Sequence, residues 1–167
     1  MNGFTLWVGF GAALGLWRVA RGSAQHQSSV LVNMGLLVLA ASLVGARLSY
    51  AVTNHEYFSA HLSEIPQIWL GGLTWPGAVA GAWHAVLTLP FLFRGSRGSR
   101  ISLGWLADRL YPLLPPLTIC TWLGCWVAGV AYGARLPEGV WWAVPSLDDT
   151  GTINPHFPLQ FLAVFSL

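Results

Sequence analysis

Residues 29–52 read SVLVNMGLLVLAASLVGARLSYAV, an apolar run broken only by a few small polar side chains and by one arginine, Arg47. As a helix, a run of this length crosses the ~30 Å hydrocarbon core of a lipid bilayer. This stretch therefore predicts a transmembrane helix, and the rest of the chain has the same character.

The composition is that of a membrane protein. Hydrophobic residues make up 54% of the 167 residues and charged residues only 8%, whereas about a quarter of a soluble domain is charged. The chain has no lysine, and its ten tryptophans suit the bilayer interface. The eight arginines form no basic face interleaved with aromatic residues, so nucleic acid is not expected as a partner.

Three further apolar runs, at residues 3–20, 68–93 and 111–132, are candidate spans, and residues 157–167 form a shorter one. The last run rises only about 16 Å as a helix, half a bilayer, which is expected of a fragment or an abbreviated protein. Arginines follow the first run instead of preceding it, so we expect a retained helix and not a signal peptide. The predicted fold is all-α, a polytopic membrane helical bundle with four full transmembrane helices and a partial fifth, in a single integral membrane domain over residues 1–167.

The arginines predict an orientation. One side of a four-span arrangement holds only Arg135 near its loops, together with five of the six acidic residues. The other side carries the remaining loop arginines, which are Arg18, Arg21, Arg94, Arg97, Arg100 and Arg109. Because arginine-rich loops stay in the cytoplasm, we expect the N-terminus outside it.

Arg47 lies about five residues from the outer end of its run. A charge at that depth costs at least ~2.5 kcal/mol on insertion scales, so it usually has a partner or a task. Its guanidinium can donate two hydrogen bonds to the phosphate of a phospholipid head group. Alternatively, the side chain snorkels to the outer interface. Both interpretations stay open.

Residues 71–77, GGLTWPG, break the helical pattern near the outer leaflet. Irregular backbone at membrane depth is tolerated only where protein or a watery cavity satisfies it, which predicts a wall of a lipid or substrate pocket. Close helix packing is the alternative, and the pair Gly77 and Gly81 favours it. His84, in the middle of the same run, is either a base or a hydrogen-bonded packing residue.

The remaining titratable residues predict neither a metal nor a cofactor. The loop after the second run lacks metal-ligand spacing in its histidines and glutamates, His55, Glu56, His61 and Glu64. Cys120 and Cys125 lie about 140° apart on a helix, so neither a disulfide nor a shared metal site is expected. Asp148 and Asp149 precede Thr-Gly and predict a solvated turn.

Four segments follow one another along the chain: GARLSY at residues 45–50, IWLGGLTWPG at 68–77, the glycines around Tyr132 and HFPLQF at 156–161. Their order and spacing resemble those of the bacterial prolipoprotein diacylglyceryl transferase family. Two of the three glycines of the family's GRIGNFINGE signature are present at residues 121–130, as Gly124 and Gly129. Its arginine, both asparagines and its glutamate correspond to Trp122, Cys125, Ala128 and Val130.

The resemblance implies a multi-pass enzyme of the bacterial inner membrane. Such an enzyme moves the diacylglyceryl group of phosphatidylglycerol to the lipobox cysteine thiol of a prolipoprotein, whose signal peptide is then a partner. On this basis His84 or His156 is a candidate for assisting the thiol. The candidate lipid- and substrate-binding residues are Arg47, Tyr50, Gly72, Trp75, Gly77, Gly124, Tyr132 and Gln160. Two alternatives stay open: an inactive relative that binds lipid or signal-peptide helices, and a small membrane scaffold or transporter subunit.

Overall fold

The computed structural model describes residues 3–23, 25–68, 71–93, 101–147 and 151–165, and most of these residues are helical. Among them, three segments are long and apolar enough to cross a membrane: Gly3–Arg21, Gln27–Thr53 and Leu103–Val127. The prediction of a mostly helical protein with several apolar spans is confirmed at this level.

The elements follow one another in a simple order. The helices are α1 (Gly3–Arg21), α2 (Gln25–Thr53), α3 (His55–Ala60), α4 (Trp75–Leu92), α5 (Leu103–Leu110), α6 (Leu114–Val127) and α7 (Leu159–Phe165). Short 3₁₀ turns occupy Leu62–Glu64 and Tyr111–Leu113. Two antiparallel strands, β1 (Val144–Leu147) and β2 (Ile153–His156), lie between α6 and α7.

The first two predicted spans agree closely with α1 and α2. Helix α2 begins at Gln25, four residues before the predicted start at residue 29. The reason is that glutamine is a good helix former, so the helix continues into a polar stretch that hydropathy alone excludes.

The third predicted span, residues 68–93, is wrong at its start, because α4 begins only at Trp75. Gly71 and Gly72 adopt φ of +84° and +66°, a left-handed conformation that ends regular structure there. Pro76 then occupies the first turn of α4, where proline is tolerated. Helix α4 is not among the three segments that qualify as spans.

The fourth predicted span, residues 111–132, is displaced towards the N-terminus. The helical segment begins at Leu103, where the Ser102 hydroxyl accepts a hydrogen bond from the Trp105 amide at 3.2 Å. It ends at Val127, and Gly129 follows with φ of +65°. Of the predicted last run at residues 157–167, α7 occupies only seven residues, Leu159–Phe165.

The strand pair was not expected in an all-α fold. Its two four-residue strands, VPSL and INPH, contain three β-depleted residues and show no clear alternation that would have predicted them. The predicted turn at Asp148 and Asp149 lies outside the described residues.

The chain forms two compact units, residues 19–111 and residues 1–18 with 112–167. In the first unit, α2 and α4 approach through glycine: Gly45 of α2 contacts both Gly77 and Gly81 of α4. A Cβ on Gly81 would collide with the Ala41 carbonyl oxygen. The interpretation of Gly77 and Gly81 as packing residues is therefore confirmed, since small residues let membrane helices pack backbone to backbone.

In the second unit, glycines also allow close packing of α1 against α6 and the turn before it. A Cβ on Gly11 would lie 2.6 Å from the Cys120 Cβ, and one on Gly15 would lie 2.6 Å from the Leu113 side chain. Gly124 of α6 faces Phe4 and Trp7 of α1 in the same manner. Cys120 is buried in this contact and both cysteines are free thiols.

We expect Gly81→Leu to destabilise the protein by more than the ~1–3 kcal/mol typical of an overpacked site, because the new side chain meets backbone and not a movable side chain. Gly9→Leu is the matched control, since a Cβ on Gly9 has nothing within 4 Å. Thermal unfolding in detergent measures the difference. Equal melting temperatures for the two variants would contradict this packing.

Candidate functional site

The predicted site residues fall into two groups, one in each compact unit. Residues 19–111 contain Arg47, Tyr50, Gly72, Trp75, Gly77 and His84. The other unit contains Gly124, Tyr132, His156 and Gln160.

Arg47 is only 5% exposed and its guanidinium faces the loop that precedes α4. Nη2 donates to the Glu64 carbonyl oxygen at 2.7 Å and Nε to that of Ile65 at 2.9 Å. Nη1 donates to the carbonyl oxygens of Gly71 at 2.6 Å and Gly72 at 3.3 Å. The guanidinium thus joins the two ends of the loop segment 64–72, and we call this set of bonds the Arg47 clasp.

The clasp explains why a charge is tolerated at this position. Carbonyl oxygens at membrane depth need donors, and a planar guanidinium supplies several in a fixed geometry. Hydrogen bonds to a charged group are also stronger than those between neutral groups. The interpretation of Arg47 as a snorkelling side chain is wrong, because the side chain is buried.

Two aromatic rings and one glycine complete the clasp. The Arg47 Cζ lies 5.2 Å from the ring centroid of Phe58 and 5.7 Å from that of Tyr50, within the range of cation–π attraction. A Cβ on Gly72 would collide with the Tyr50 ring and lie 2.8 Å from Arg47 Nη1. The structure therefore brings Arg47, Tyr50 and Gly72 together; their role in lipid or substrate binding stays a prediction.

The loop is also attached directly to α2. The Thr74 amide and hydroxyl both donate to the Ala46 carbonyl oxygen, at 3.2 and 3.3 Å. This attachment sets where α4 begins, one residue after Thr74. Trp75 and His84 are exposed on α4, and Gly77 is buried against α2, so these three do not join the clasp.

A second polar contact lies beside the clasp, outside the candidate spans. The Tyr57 hydroxyl donates to Glu64 Oε2 at 2.9 Å, and the Tyr57 ring stacks on His61 with centroids 4.4 Å apart. The hydrogen bond to Glu64 is the main cause that raises the pKa of Tyr57 above its ordinary value of 10.0, with smaller effects from burial and from the nearby negative charge. Glu64 thus contributes its carbonyl oxygen to Arg47 and its carboxylate to Tyr57.

In the other unit, His156 is only 3% exposed and ends β2. Its Nδ1 lies 2.9 Å from the Asn154 carbonyl oxygen. Because a carbonyl oxygen only accepts, Nδ1 carries the proton and Nε2 of the neutral ring keeps the lone pair. The Tyr132 ring packs against the imidazole with centroids 4.3 Å apart.

Gln160 is buried near the same segment and donates from Nε2 to the Val130 carbonyl oxygen at 2.9 Å. This bond ties α7 to the turn that precedes Tyr132. Gly124, by contrast, is a contact of α6 with α1 and does not join Tyr132 and His156. Across the described residues, no group of three His, Cys, Asp or Glu side chains is arranged to hold a metal ion.

The residues that sequence reasoning missed act mainly through their backbones. The carbonyl groups of Glu64, Ile65 and Asn154 leave no mark in a sequence, because every residue has one. Phe58 was missed for a different reason, since the 5.2 Å distance of its ring from Arg47 exists only in the folded chain. A buried arginine with no acidic residue in its own span was the one available signal that carbonyl groups would be its partners.

We expect Arg47→Lys to release the loop 64–72, because an ammonium group cannot reproduce a fork that reaches four carbonyl oxygens. Loss of even two such bonds costs roughly 3 kcal/mol. Hydrogen–deuterium exchange should accelerate at residues 64–74. Arg109→Lys is the control, because Arg109 is exposed and donates at 3.3 Å to the Gly22 carbonyl oxygen. Unchanged exchange in Arg47→Lys would contradict the clasp.

We also expect Glu64→Gln to lower the pKa of Tyr57 towards its ordinary value. The substitution removes the carboxylate that accepts a hydrogen bond from the phenol hydroxyl. Since the pKa is raised in the folded state, this bond stabilises the protein below the unfolded pKa of tyrosine. That contribution is lost as the pH rises through the folded pKa. Tyrosinate absorbance, measured as the difference from Tyr57→Phe, follows the titration. Glu56→Gln is the control, and an equal shift there would refute the assignment.

The chain was compared with known proteins. A family model described as prolipoprotein diacylglyceryl transferase matches residues 1–166. A phosphatidylglycerol–prolipoprotein diacylglyceryl transferase of Geobacillus kaustophilus is 35% identical over 77 residues, which cover 45% of this chain and 28% of that protein.

Relatives of the same name match over a longer range. The protein of Thermosynechococcus vestitus is 26% identical over 95% of this chain and 60% of its own length. That of Lactococcus lactis subsp. cremoris is 26% identical over 92% of this chain and 57% of its own length. The chain thus spans less than two thirds of the length of these relatives. With a family model matched over residues 1–166, this chain belongs to the prolipoprotein diacylglyceryl transferase family.

Proposed function

We propose that this chain acts in the transfer of a diacylglyceryl group from phosphatidylglycerol to the lipobox cysteine of a prolipoprotein. The family match over residues 1–166 is the observation that carries the proposal. The names of its relatives supply the two substrates, phosphatidylglycerol and prolipoprotein.

The chemistry makes a defined demand on the protein. A carbon–sulfur bond forms between the cysteine Sγ and a glyceryl carbon, and the bond from that carbon to a phosphate oxygen breaks. Glycerol phosphate leaves with the electron pair, and the thiol proton must pass to a base. A thiolate is a far better nucleophile than a thiol, so the base decides the rate of attack.

We assign His156 as that base. The hydrogen bond from Nδ1 to the Asn154 carbonyl oxygen supports the assignment, because it fixes the tautomer in which Nε2 accepts a proton. Packing against Tyr132 restricts the ring further. His84, the other candidate, is exposed on the surface of α4 and has no comparable support.

Arg47 takes a positioning role in this proposal. Four of its hydrogen bonds go to loop carbonyl oxygens, so binding a lipid phosphate would require the guanidinium to release them. The clasp instead holds Gly72 against Tyr50. Lipid binding by Tyr50, Gly72 and Trp75 remains part of the proposal.

A second candidate function is lipid or signal-peptide binding without turnover. It is favoured by the residues at the family signature, where Trp122, Cys125, Ala128 and Val130 replace polar groups. Trp122 stands where the signature has its arginine, and Arg47 is engaged in the clasp, so neither position offers a positive charge to a departing phosphate.

We further propose that α4 also crosses the bilayer, giving four spans with the N-terminus outside the cytoplasm, in one integral membrane domain. Its 18 residues rise about 27 Å, close to the hydrocarbon thickness. Its glycine contacts with α2 are those of packed membrane helices. The bacterial cytoplasmic membrane is the proposed location, with prolipoprotein signal peptides as partners.

In phosphatidylglycerol vesicles, the full chain should increase the mass of a lipobox peptide by one diacylglyceryl group, as mass spectrometry detects. His156→Ala should lower the rate about 100-fold or more, the usual contribution of a general base. His55→Ala, on the exposed start of α3, should leave the rate unchanged. Equal rates in both variants would refute the base assignment. Saturable phosphatidylglycerol binding without any mass shift would establish the second candidate instead.

A further inference from the structure

In the strand pair β1–β2, polar side chains are buried and apolar side chains are exposed. Ser146 and Asn154 face each other across the ladder and are buried, as is His156 two residues further along β2. Side chains alternate between the two faces of a strand, so the intervening residues point the opposite way. On that outer side Pro145 is exposed and Ile153 is 73% exposed.

A strand pair that faces water has the reverse arrangement, with apolar residues inside and polar residues outside. Exposed strands in water are also protected by charged side chains, especially lysine. Neither VPSL nor INPH contains a charged residue. The outer side is therefore suited to an apolar environment.

Trp141 is a further exposed apolar residue close to the strand pair in the sequence. It is 92% exposed three residues before β1, while its neighbour Trp142 packs edge-on against Phe157 with centroids 5.5 Å apart. Tryptophan prefers the boundary between lipid and water, where its ring is apolar and its N–H group is hydrated. We call Trp141, Pro145 and Ile153 the outer hairpin face.

The strand pair is held close to a membrane segment within its own unit. Helix α6 ends a candidate span at Val127, and the Gln160–Val130 hydrogen bond attaches α7 next to that end. The Gly133 amide donates to the Phe157 carbonyl oxygen at 2.9 Å, which attaches the end of β2 to the same turn. The strands therefore stay near the place where α6 leaves the bilayer.

We propose that the outer hairpin face is a lipid-contact surface, which inserts into the interface of the bilayer that α6 crosses. The occupant is lipid and not an added strand, because Pro145 has no amide hydrogen to offer a partner strand at the β1 edge. The face also offers no charge or polar side chain that would select a protein partner. Its buried side keeps Ser146, Asn154 and His156 away from the acyl chains.

Site-directed spin labelling of the full chain in phosphatidylglycerol-containing vesicles tests this proposal. Single cysteines are placed at Ile153 and, separately, at Trp141, in a Cys120→Ala, Cys125→Ala background. Glu138→Cys is the control, because Glu138 is an exposed charged residue on the segment that leads to β1. Pro145→Cys is a second reporter on the strand itself. Collision rates with oxygen, which concentrates in lipid, and with a water-soluble nickel chelate are compared.

We expect labels at positions 153, 145 and 141 to collide with oxygen much more often than with nickel, and the label at position 138 to show the reverse ratio. Dominant nickel collisions at all four positions would overturn the proposal, because the face would then lie in water. Low collision rates with both reagents, together with an immobilised label, would also overturn it, because a protein segment and not lipid would cover the face. The test is independent of transferase activity, so it does not depend on the proposed function.

Discussion

The unit of residues 19–111 depends on one interaction. The buried guanidinium of Arg47 is stabilised by hydrogen bonds to backbone carbonyl oxygens of the same chain. Arg47 is buried on a membrane helix, away from water, and its hydrogen bonds go to the carbonyl oxygens of Glu64, Ile65, Gly71 and Gly72. Each group alone would be costly there, and together they remove both costs. The clasp thereby positions both ends of the loop, and the neighbouring Thr74–Ala46 bonds set the residue at which α4 begins.

Hydropathy predicted the membrane class and the positions of α1 and α2, because lipid exposure is a property of composition over a long window. It misplaced α4 and the segment Leu103–Val127, whose ends are set by the φ angles of Gly71 and Gly72 and by the Ser102 cap. A mean hydropathy taken over a long window hardly changes with the conformation of one or two residues. The packing role of Gly77 and Gly81 was recognisable, because small residues at helical spacing commonly let membrane helices approach, whereas their partner Gly45 was not predicted.

The sequence named the candidate site residues but not which of them lie together. The structure places Arg47 beside Tyr50 and Gly72, and Tyr132 beside His156, while their binding of lipid or substrate stays a prediction. The partners of Arg47 could not be predicted, because they are backbone carbonyls from a segment 17 to 25 residues away. The strand pair was not predicted either. Its buried polar and exposed apolar residues are the reverse of the usual pattern in water, so the sequence pattern alone does not indicate which side faces the protein.

The central claim is that Arg47 holds the loop and not the lipid phosphate. Solid-state NMR of the chain in phosphatidylglycerol vesicles tests it most directly, with ¹⁵N in arginine and ¹³C in the glycine carbonyls. Arg47→Lys identifies the signal of interest. We expect the Arg47 guanidinium nitrogens to be dephased by glycine carbonyl carbon, as the 2.6 Å bond from Nη1 to the Gly71 oxygen requires, and not by lipid ³¹P. Strong dephasing by ³¹P without dephasing by carbonyl carbon would contradict the account.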